Sequence, residues 1–239
     1  MTPSISIVIP AYNEERRLPA TLERIHAYLD SGNWAFREVL VVDDGSTDKT
    51  AEVAASFPGT RLLRNPGNRG KGYSVRHGML EARAEWVLLS DADLSTPIEE
   101  LDKLWQAAQA SGAQIAIGSR ALDRSLVGVH QPFLREAVGR LFNLAMRLIT
   151  GLPFRDTQCG FKLFAAPIAR EVFSRQTLEG FGFDVEVLVL ARELGYRAIE
   201  VPVRWNDALG TKVSITRGLA AFLDPLRVAY NVHTGKYRR

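Results

Sequence analysis

The first half of the chain alternates short apolar segments with longer amphipathic ones. The short segments, rich in β-branched residues and stopped by Pro, Gly or polar clusters, predict buried strands at 4–11, 37–46, 60–65, 85–93 and 113–120. Between them, apolar residues at helical spacing predict helices at 16–32, 46–57, 68–82 and 96–112. Strands that alternate with helices form a mostly parallel sheet with helices on both faces, so we predict an α/β fold.

The second half continues without a visible domain boundary. The sequence predicts a basic helix near 135–150, a turn at 156–164, helices near 166–174 and 184–194, a strand at 198–205 and a basic helix at 217–239. It shows no internal repeat, low-complexity tract or linker. We therefore expect residues 1–239 to form a single domain.

Composition and charge narrow the class of protein. The 239 residues are 46% hydrophobic and 24% charged, as in an ordinary globular domain. The net charge of +3 suits a protein that handles phosphates or contacts anionic lipid, but it is too small to indicate nucleic-acid binding. The single cysteine, Cys159, favours a reducing compartment, and neither a signal peptide nor an apolar run long enough to span a membrane is evident. We expect a cytoplasmic protein.

Two carboxylates, Asp91 and Asp93, end the predicted strand at 85–93. Residues two apart in a strand point to the same side, and two such carboxylates repel each other unless a cation lies between them or one takes a proton. Carboxylates and substrate phosphates together are the usual ligands of Mg²⁺, and Mn²⁺ prefers the same oxygen ligands. The pair predicts a Mg²⁺ or Mn²⁺ site, although a solvated acidic loop that caps the next helix has the same spacing.

Polar clusters also follow the neighbouring strands. Asp43 and Asp44 could accept hydrogen bonds from a base or ribose, or cap the following helix. The glycine-rich segment 65–74 carries Arg69 and Lys71, which would attract an anion at a helix start, although an ordinary flexible loop has a similar composition. Since ligands bind at the carboxyl ends of parallel strands, we expect these clusters to face one site.

The order of these motifs resembles a known enzyme family. Five segments carry the resemblance: PAYNEE at 10–15, DDGSTD at 43–48, NRGKG at 68–72, DAD at 91–93 and GSR at 118–120. Together they resemble the inverting nucleotide-sugar glycosyltransferases of glycosyltransferase family 2. Residues 156–164, 181–188 and 201–214 are similar to its dolichyl-phosphate and polyprenyl-phosphate β-glucosyltransferase branch, which has the dolichyl-phosphate mannosyltransferases as near relatives. The resemblance covers residues 5 to about 230.

The resemblance implies a Rossmann-like GT-A fold and roles for individual positions. The residues that match base- and ribose-holding positions are Pro10, Tyr12, Glu14, Val42 and Asp44. The segment Asp91-Ala92-Asp93 matches the DxD motif that binds the metal and, through it, the donor diphosphate, and Lys212 matches a lysine that reaches this diphosphate. Mannosyl-type relatives often carry Gln where this chain has Ser95, so the expected protein ligands of the metal are Asp91 and Asp93.

The acceptor decides whether a base is needed. A lipid phosphate is already an anionic nucleophile, so it needs cations rather than a strong general base. Arg120 matches an arginine near the acceptor phosphate and the sugar. Arg135 and Arg140 are further candidates because guanidinium binds phosphate bidentately, although both equally fit a solvated helix face.

A sugar hydroxyl as acceptor would require a carboxylate base. Asp184 and Glu186 are the leading candidates and Asp156 is a third, although acids at a helix N-terminus also stabilise the helix by themselves. The candidate catalytic residues are Asp93, Arg120, Asp184 and Lys212.

Two predicted basic helices are relevant to whether the protein associates with a membrane. The segments 136–152 and 217–239 each combine an apolar stripe with Arg or Lys, so they could lie in a membrane interface or pack on the protein's own core. With the family resemblance, we expect a nucleotide-sugar-binding half at about 1–120, an acceptor half at about 121–215 and a basic amphipathic C-terminal helix at about 216–239.

These patterns lead to one predicted function and two alternatives. We predict a metal-dependent inverting hexosyltransferase that moves glucose from UDP-glucose onto a polyprenyl or dolichyl phosphate at the cytoplasmic face of the membrane. One alternative keeps the family but uses GDP-mannose or a glycan hydroxyl acceptor. The other is a non-catalytic nucleotide-sugar-binding protein.

Overall fold

A computed structural model describes residues 2–129, 143–144, 146–207 and 224–238. The strands are β1 (Ser4–Ala11), β2 (Phe36–Asp43), β3 (Thr60–Arg64), β4 (Trp86–Ser90), β5 (Ile115–Ser119), β6 (Val127–Val129), β7 (Phe161–Ala165), β8 (Ala198–Pro202) and β9 (Trp205–Asn206). The α-helices are α1 (Leu18–Ser31), α2 (Thr50–Ser56), α3 (Lys71–Glu81), α4 (Leu101–Ser111), α5 (Ala166–Arg175), α6 (Phe183–Glu193) and α7 (Asp224–His233). Short 3₁₀ turns span Ile98–Glu100, Arg124–Leu126 and Lys236–Arg238.

Seven strands form one sheet in the order β3-β2-β1-β4-β7-β5-β8. Each strand is parallel to its neighbours except β7, which is antiparallel to both β4 and β5. The strands β6 and β9 form a separate parallel pair. The predicted α/β fold with a mostly parallel sheet is confirmed, and the carboxyl ends of β1, β2, β4 and β5 lie at one edge of this sheet.

Helices cover both faces of the sheet because the central strands are apolar on both sides. On one face, α1, α2 and α4 pack in a cluster with Ile5, Ile7 and Ile9 of β1. On the other face, α3, α5, α6 and α7 pack in a cluster with Val8 of β1 and Val42 of β2. Near-continuous apolar strands are typical of a parallel sheet that is covered on both faces.

Strand β7 corrects the predicted turn at 156–164. Phe161, Leu163 and Phe164 are buried in the middle of the sheet. Lys162 gives this segment its polar appearance, yet its side chain is fully buried because it is ion-paired with Asp184 of α6. A lysine is buried only when its charge is compensated, and the compensating residue lies far along the chain, where a local pattern does not reveal it.

The acidic pair lies beyond the strand predicted to carry it. Strand β4 ends at Ser90, and the following turn contains Leu94 with a positive φ of 47°. Leu94 N–H donates to the carbonyl of Asp91 at 3.2 Å. Asp91 and Asp93 therefore do not share a strand face, and the prediction that both point to one side of a strand is wrong. The turn brings the two carboxylates into electrostatic contact instead.

Two predicted basic helices fall partly outside the described residues. Of the helix near 135–150, residues 143–144 and 146–150 are described and helical, and of the helix at 217–239, α7 and the 3₁₀ turn after it are described. The strand predicted at 198–205 is split, because β8 ends at Pro202 and Trp205 belongs to β9. Within the described ranges, no helix has the length and apolar character needed to cross a membrane.

Candidate active site

The loops that follow β1 and β2 are bound to each other at the carboxyl edge of the sheet. The strands are in register, with Ala11 opposite Asp43. Asn13 has a positive φ of 57°, its N–H donates to Ser46 Oγ at 2.9 Å, and Thr47 N–H donates to Asn13 Oδ1 at 2.8 Å. The residues predicted to hold the base and ribose lie at this edge: Pro10, Tyr12, Glu14, Val42 and Asp44. The structure thus brings together two motifs that are about thirty residues apart in the sequence.

Asp44 is buried and holds the glycine-rich loop in place. Its Oδ1 accepts hydrogen bonds from Asn65 Nδ2 at 2.7 Å and Arg69 N at 3.0 Å, and its Oδ2 accepts from Gly70 N at 2.8 Å. Gly70 has a φ of 108°, and a Cβ atom there would lie 2.5 Å from the carbonyl oxygen of Glu179. Only glycine fits this position. Asp44 therefore orders the loop, and its contact with a ribose stays a prediction.

Lys71, at the start of α3, lies against the acidic turn. Its Nζ is 2.7 Å from Asp91 Oδ1, and about a fifth of its side chain is exposed, 21%. Burial lowers the pKa of Lys71, but the carboxylates of Asp91, Asp184 and Asp93 outweigh it and raise this pKa overall. The lysine predicted to attract a substrate anion thus supplies a positive charge where a metal cation is expected.

Asp93 carries a negative charge that the fold compensates only in part. Burial and the neighbouring charge of Asp91 raise the pKa of Asp93. A hydrogen bond from Ser95 N to Asp93 Oδ1 at 3.0 Å and the charge of Arg17 act in the opposite direction without cancelling the rise. A carboxylate held this way favours a bound cation.

Arg17 is a site residue that the sequence motifs missed. Its Nε and Nη2 each donate to the Glu14 carboxylate at 2.7 Å, and its Nη1 is buried with no hydrogen-bond partner among the residues that the structure describes. Its charge lies close enough to Asp93 for each to affect the pKa of the other. Its only sequence signal is its position just after the motif at 10–15.

The acidic turn fits a divalent cation. Within the ranges that the structure describes, no group of three or more His, Cys, Asp or Glu side chains could hold a metal by itself. Asp91 and Asp93 would therefore supply two carboxylates, and a bound diphosphate would supply further oxygens, which is the usual arrangement for Mg²⁺. Asp91 already attracts Lys71 as a counter-cation. Occupation by Mg²⁺ or Mn²⁺ stays a prediction.

Neighbouring elements fix the position of the acidic turn. Thr21 Oγ1 of α1 donates to the carbonyl of Ala92 at 2.7 Å, and Asn206 N–H of β9 donates to the carbonyl of Ser95 at 2.8 Å. Gly160 packs directly against Asp91, since a Cβ atom at position 160 would lie 2.0 Å from Asp91 Oδ2. The turn at 156–160 is therefore part of the site, because it seats a predicted metal ligand.

Arg120, after β5, is held by the first residue of that same turn. Its Nε and Nη2 donate to Asp156 Oδ2 and Oδ1 at 2.6 and 2.8 Å, and its guanidinium lies 5.4 Å from the ring centroid of Trp205. Burial alone would raise the pKa of Asp156, but Arg120 lowers it overall. Arg120 is thus a fixed cation beside the acidic turn, and Asp156 is its partner.

The two acids predicted as bases in α6 are both buried and engaged. Asp184 Oδ1 accepts a hydrogen bond from Lys162 Nζ at 2.5 Å. Glu186 accepts from Thr177 N and Oγ1, from Leu178 N at 2.8 Å and from Tyr237 Oη at 2.8 Å. Glu186 therefore joins the segment before α6 to the C-terminal turn. Three further predicted residues, Arg135, Arg140 and Lys212, lie outside the described residues.

Comparison with known proteins identifies the family. The family model described as glycosyl transferase family 2 matches residues 6–173, which is more than half of the chain. The chain belongs to glycosyl transferase family 2. The expectations of a family 2 glycosyltransferase and of an enzyme are confirmed.

Relatives of this family 2 glycosyltransferase share a name. A dolichyl-phosphate beta-glucosyltransferase of Trichomonas vaginalis is 35% identical over 238 residues, which cover 94% of this chain and 72% of the relative. The Drosophila melanogaster protein of that name is 39% identical over 227 residues, with 88% of this chain and 69% of the relative covered. The human one is 34% identical over 228 residues, with 89% and 70% covered.

Solved structures establish the fold of this family 2 glycosyltransferase. Glucosyl-3-phosphoglycerate synthase of M. tuberculosis matches with a TM-score of 0.70 at 19% identity, over 95% of this chain and 81% of that chain. Mannosyl-3-phosphoglycerate synthase of Rubrobacter xylanophilus matches with a TM-score of 0.71 at 19% identity, over 99% and 76% of the two chains. The predicted GT-A fold is confirmed. One structure of the mycobacterial enzyme is a complex with Mn²⁺, UDP and glucosyl-3-phosphoglycerate.

Proposed function

We propose that this family 2 glycosyltransferase moves glucose from UDP-glucose onto a polyprenyl or dolichyl phosphate, with inversion at the sugar carbon and with Mg²⁺ or Mn²⁺ as the metal. The observation that carries this proposal is that an acidic pair and a fixed arginine meet at one sheet edge, while every described carboxylate considered as a base is already engaged. The names of relatives between 34% and 39% identical support the donor sugar and the acceptor.

The donor site is built around the acidic turn. Asp91 and Asp93 would hold the metal, and Ala92 lies between them; the bound ion would stabilise negative charge on the leaving diphosphate. Lys71 lies beside Asp91 and would contact the same diphosphate. Lys212 is proposed as a second lysine for this diphosphate. The base and ribose would lie on the β1 and β2 loops, at Pro10, Tyr12, Glu14, Val42 and Asp44.

The acceptor side favours a phosphate over a hydroxyl. A hydroxyl must lose its proton to a base, whereas a phosphate oxygen is already charged. Asp156 is bound to Arg120, Asp184 to Lys162, and Glu186 to backbone and hydroxyl donors. Arg120 is held through its Nε and Nη2 by Asp156, and the remaining N–H groups of its guanidinium would bind the acceptor phosphate. Arg135 and Arg140 are proposed as further cations.

We assign the membrane-facing surface to residues 143–144, residues 146–150 and α7. Exposed apolar side chains on these segments are Leu144, Leu148, Ile149, Leu226 and Tyr230. The two segments meet at a groove of about 250 Å³, lined by Ile149, Thr150, Val189, Arg192, Val228, Ala229, Val232 and His233. Arg147 and Arg227 are exposed on the same segments. Apolar residues beside basic ones are typical of a helix that lies in a lipid interface, here at the cytoplasmic face.

A donor screen tests this proposal. The protein is incubated with UDP-glucose, UDP-galactose or GDP-mannose and Mn²⁺, with a short polyprenyl phosphate, with a glycan or with no acceptor, and release of UDP or GDP is measured. We expect UDP release from UDP-glucose that depends on the polyprenyl phosphate. GDP release from GDP-mannose alone would show that GDP-mannose, and not UDP-glucose, is the donor. Nucleotide release that depends on a glycan but not on the lipid would show that the acceptor is a glycan hydroxyl and not a lipid phosphate.

A further inference from the structure

Lys162 is a fully buried lysine behind the acidic turn. It lies on β7, the antiparallel strand inserted between β4 and β5. Its Nζ donates to Asp184 Oδ1 at 2.5 Å and to the carbonyl oxygen of Cys159 at 2.6 Å. A buried ammonium group is retained only where hydrogen bonds and an opposite charge compensate for its lost hydration. The bond to Cys159 therefore ties a charged, immobile group to the turn before β7.

That turn forms the seat of Asp91. Gly160 follows Cys159, and its α-carbon lies so close to the Asp91 carboxylate that a Cβ atom would come within 2.0 to 2.6 Å of three carboxylate atoms. Any shift of the Cys159 carbonyl would move Gly160 and change the space left for Asp91. The same turn begins at Asp156, which binds Arg120. The segment 156–160 thus contacts both the predicted metal ligand Asp91 and the predicted phosphate-binding residue Arg120.

In this arrangement Asp184 is the counter-ion of Lys162 and not a base. Its side chain is about 4% exposed, and its Oδ1 is engaged by Lys162. Removing Asp184 alone would leave Lys162 as an uncompensated buried charge, and removing Lys162 alone would do the same to Asp184. The two side chains therefore form one unit, which reaches the site through the Lys162 hydrogen bond to Cys159 and through the charge of Asp184 near Lys71.

We propose that Lys162 is a positioning residue for the metal site: it fixes the Cys159 carbonyl so that Gly160 sets the place of Asp91, and Asp184 serves as its counter-ion. This inference rests on the proposed function, because it assigns Asp91 to a metal that binds with the donor diphosphate. Groups that orient metal ligands from behind typically change metal affinity by about 10- to 100-fold when they are removed.

The test is a paired replacement, Lys162→Met with Asp184→Leu. It removes both charges together and leaves no unpaired buried ion, so the protein is expected to fold. Circular dichroism checks the fold, and electron paramagnetic resonance of free Mn²⁺ measures Mn²⁺ affinity in the presence of UDP. We expect Mn²⁺ affinity about tenfold weaker than in the wild type. A folded double variant with wild-type Mn²⁺ affinity overturns the inference.

A matched control separates positioning from general loss of stability. Leu29 is buried near the C-terminal end of α1, about two helical turns beyond Thr21, which contacts the acidic turn. Leu29→Ala should lower the melting temperature and leave Mn²⁺ affinity with UDP within about twofold of the wild type. A Leu29→Ala protein that loses Mn²⁺ affinity to the same degree as the double variant would also overturn the inference.

A second variant tests the inference independently, because it keeps an oxygen that can accept the Lys162 hydrogen bond. Asp184→Asn retains the side-chain shape and removes the counter-charge. We expect it to raise the Mn²⁺ concentration needed for half-maximal turnover, whereas turnover at saturating Mn²⁺ falls less than about tenfold. Lost turnover with unchanged Mn²⁺ affinity would instead make Asp184 a base and overturn the positioning assignment. A wild-type protein that binds neither Mn²⁺ nor UDP overturns the proposed function together with this inference.

Discussion

Lys71 Nζ lies 2.7 Å from Asp91 Oδ1, so a lysine of the glycine-rich loop neutralises a carboxylate that is predicted to bind a metal. This pair must open, or share Asp91, when a cation enters. The loop that carries Lys71 is fixed by Asp44, so the lysine does not leave the site with a loop movement unless those hydrogen bonds also break. We therefore expect Lys71 and the metal to compete for Asp91 before the donor arrives.

The first prediction concerns this competition. Lys71→Met should tighten Mn²⁺ binding to the nucleotide-free protein by about three- to fivefold, since a partly exposed ion pair contributes up to about 1 kcal/mol. The same variant should bind UDP more weakly, because a cation beside the diphosphate is lost. Electron paramagnetic resonance of Mn²⁺ measures the first effect and calorimetry measures the second. Lys71→Arg keeps the charge and is the control; weaker Mn²⁺ binding by nucleotide-free Lys71→Met would contradict the competition.

The second prediction concerns Asp93. Burial and Asp91 raise its pKa, so its charged form is destabilised in the metal-free protein at neutral pH. Asp93→Asn should therefore melt at the same temperature as the wild type or up to about 3 °C higher. It should also lose metal-dependent turnover, because a charged ligand is absent. Thermal melting without metal and a turnover assay with Mn²⁺ check both effects, and a large drop in melting temperature would show that Asp93 is structural.

The third prediction concerns Gly160. Gly160→Ala would place a methyl group 2.0 Å from Asp91 Oδ2, so the carboxylate must move. Mn²⁺ affinity in the presence of UDP should fall about tenfold or more. Gly180→Ala is the matched control, since a Cβ atom there meets no atom of the described residues within 4 Å. Equal Mn²⁺ affinities for the two variants would refute the contact between Gly160 and Asp91.

The fourth prediction concerns pH and the ion pair between the partly exposed Arg120 and the buried Asp156. The pKa of Asp156 is lowered in the folded protein, so the pair stabilises the fold above the unfolded-state value of about 3.9 and loses this effect as pH falls through the lower folded value. Arg120→Met should destabilise the fold by about 3–5 kcal/mol at pH 7.

The loss should shrink in acid, where protonation of the unpaired Asp156 relieves its buried charge. Urea unfolding at pH 7 and at pH 4.5 measures the difference. If Arg120→Met lowers the free energy of unfolding equally at the two pH values, then packing, and not the charge pair, gives Arg120 its structural role.

The fifth prediction concerns the membrane-facing surface. Leu148 and Tyr230 are 77% and 67% exposed, so a charge at either position should leave the fold intact. Leu148→Glu with Tyr230→Glu should lower binding to anionic lipid vesicles about tenfold or more, because apolar burial is lost and anionic charge is added. Vesicle flotation measures the binding. Phe36→Glu, at an apolar position that is 42% exposed at the start of β2, is the control; an equal loss there would contradict this assignment.

The sequence predicts the fold well where a single local pattern decides it. The apolar runs of β1 and β2 can only be strands covered on both faces, and the amphipathic spacing of α1 fixes its buried side. Prediction fails at β7, where Lys162 looks like a turn residue until Asp184 is found beside it. The predicted end of β4 is also wrong, because Leu94 adopts a positive φ that the local sequence does not predict.

The candidate site follows a similar division. The motifs give Asp91, Asp93 and Arg120 at the correct edge of the sheet, because strand ends in a parallel sheet meet there. They do not show that Asp44 holds the glycine-rich loop, that Gly160 seats Asp91, or that Arg17 lies near Asp93. Each of these contacts joins residues far apart in the chain, where charge and packing decide the outcome and not local propensity.

Analysis of the reaction product tests the proposed transfer of glucose to a polyprenyl phosphate. The wild-type protein is incubated with UDP-glucose, a short polyprenyl phosphate and Mn²⁺, and the lipid fraction is examined by mass spectrometry and proton NMR. We predict a polyprenyl phosphate extended by one glucose with a β-anomeric linkage, absent without Mn²⁺ and absent in the Asp93→Asn protein. A lipid fraction without glucose would rule out the proposed glucosyl transfer, and an α-anomeric product would rule out inversion at the sugar carbon.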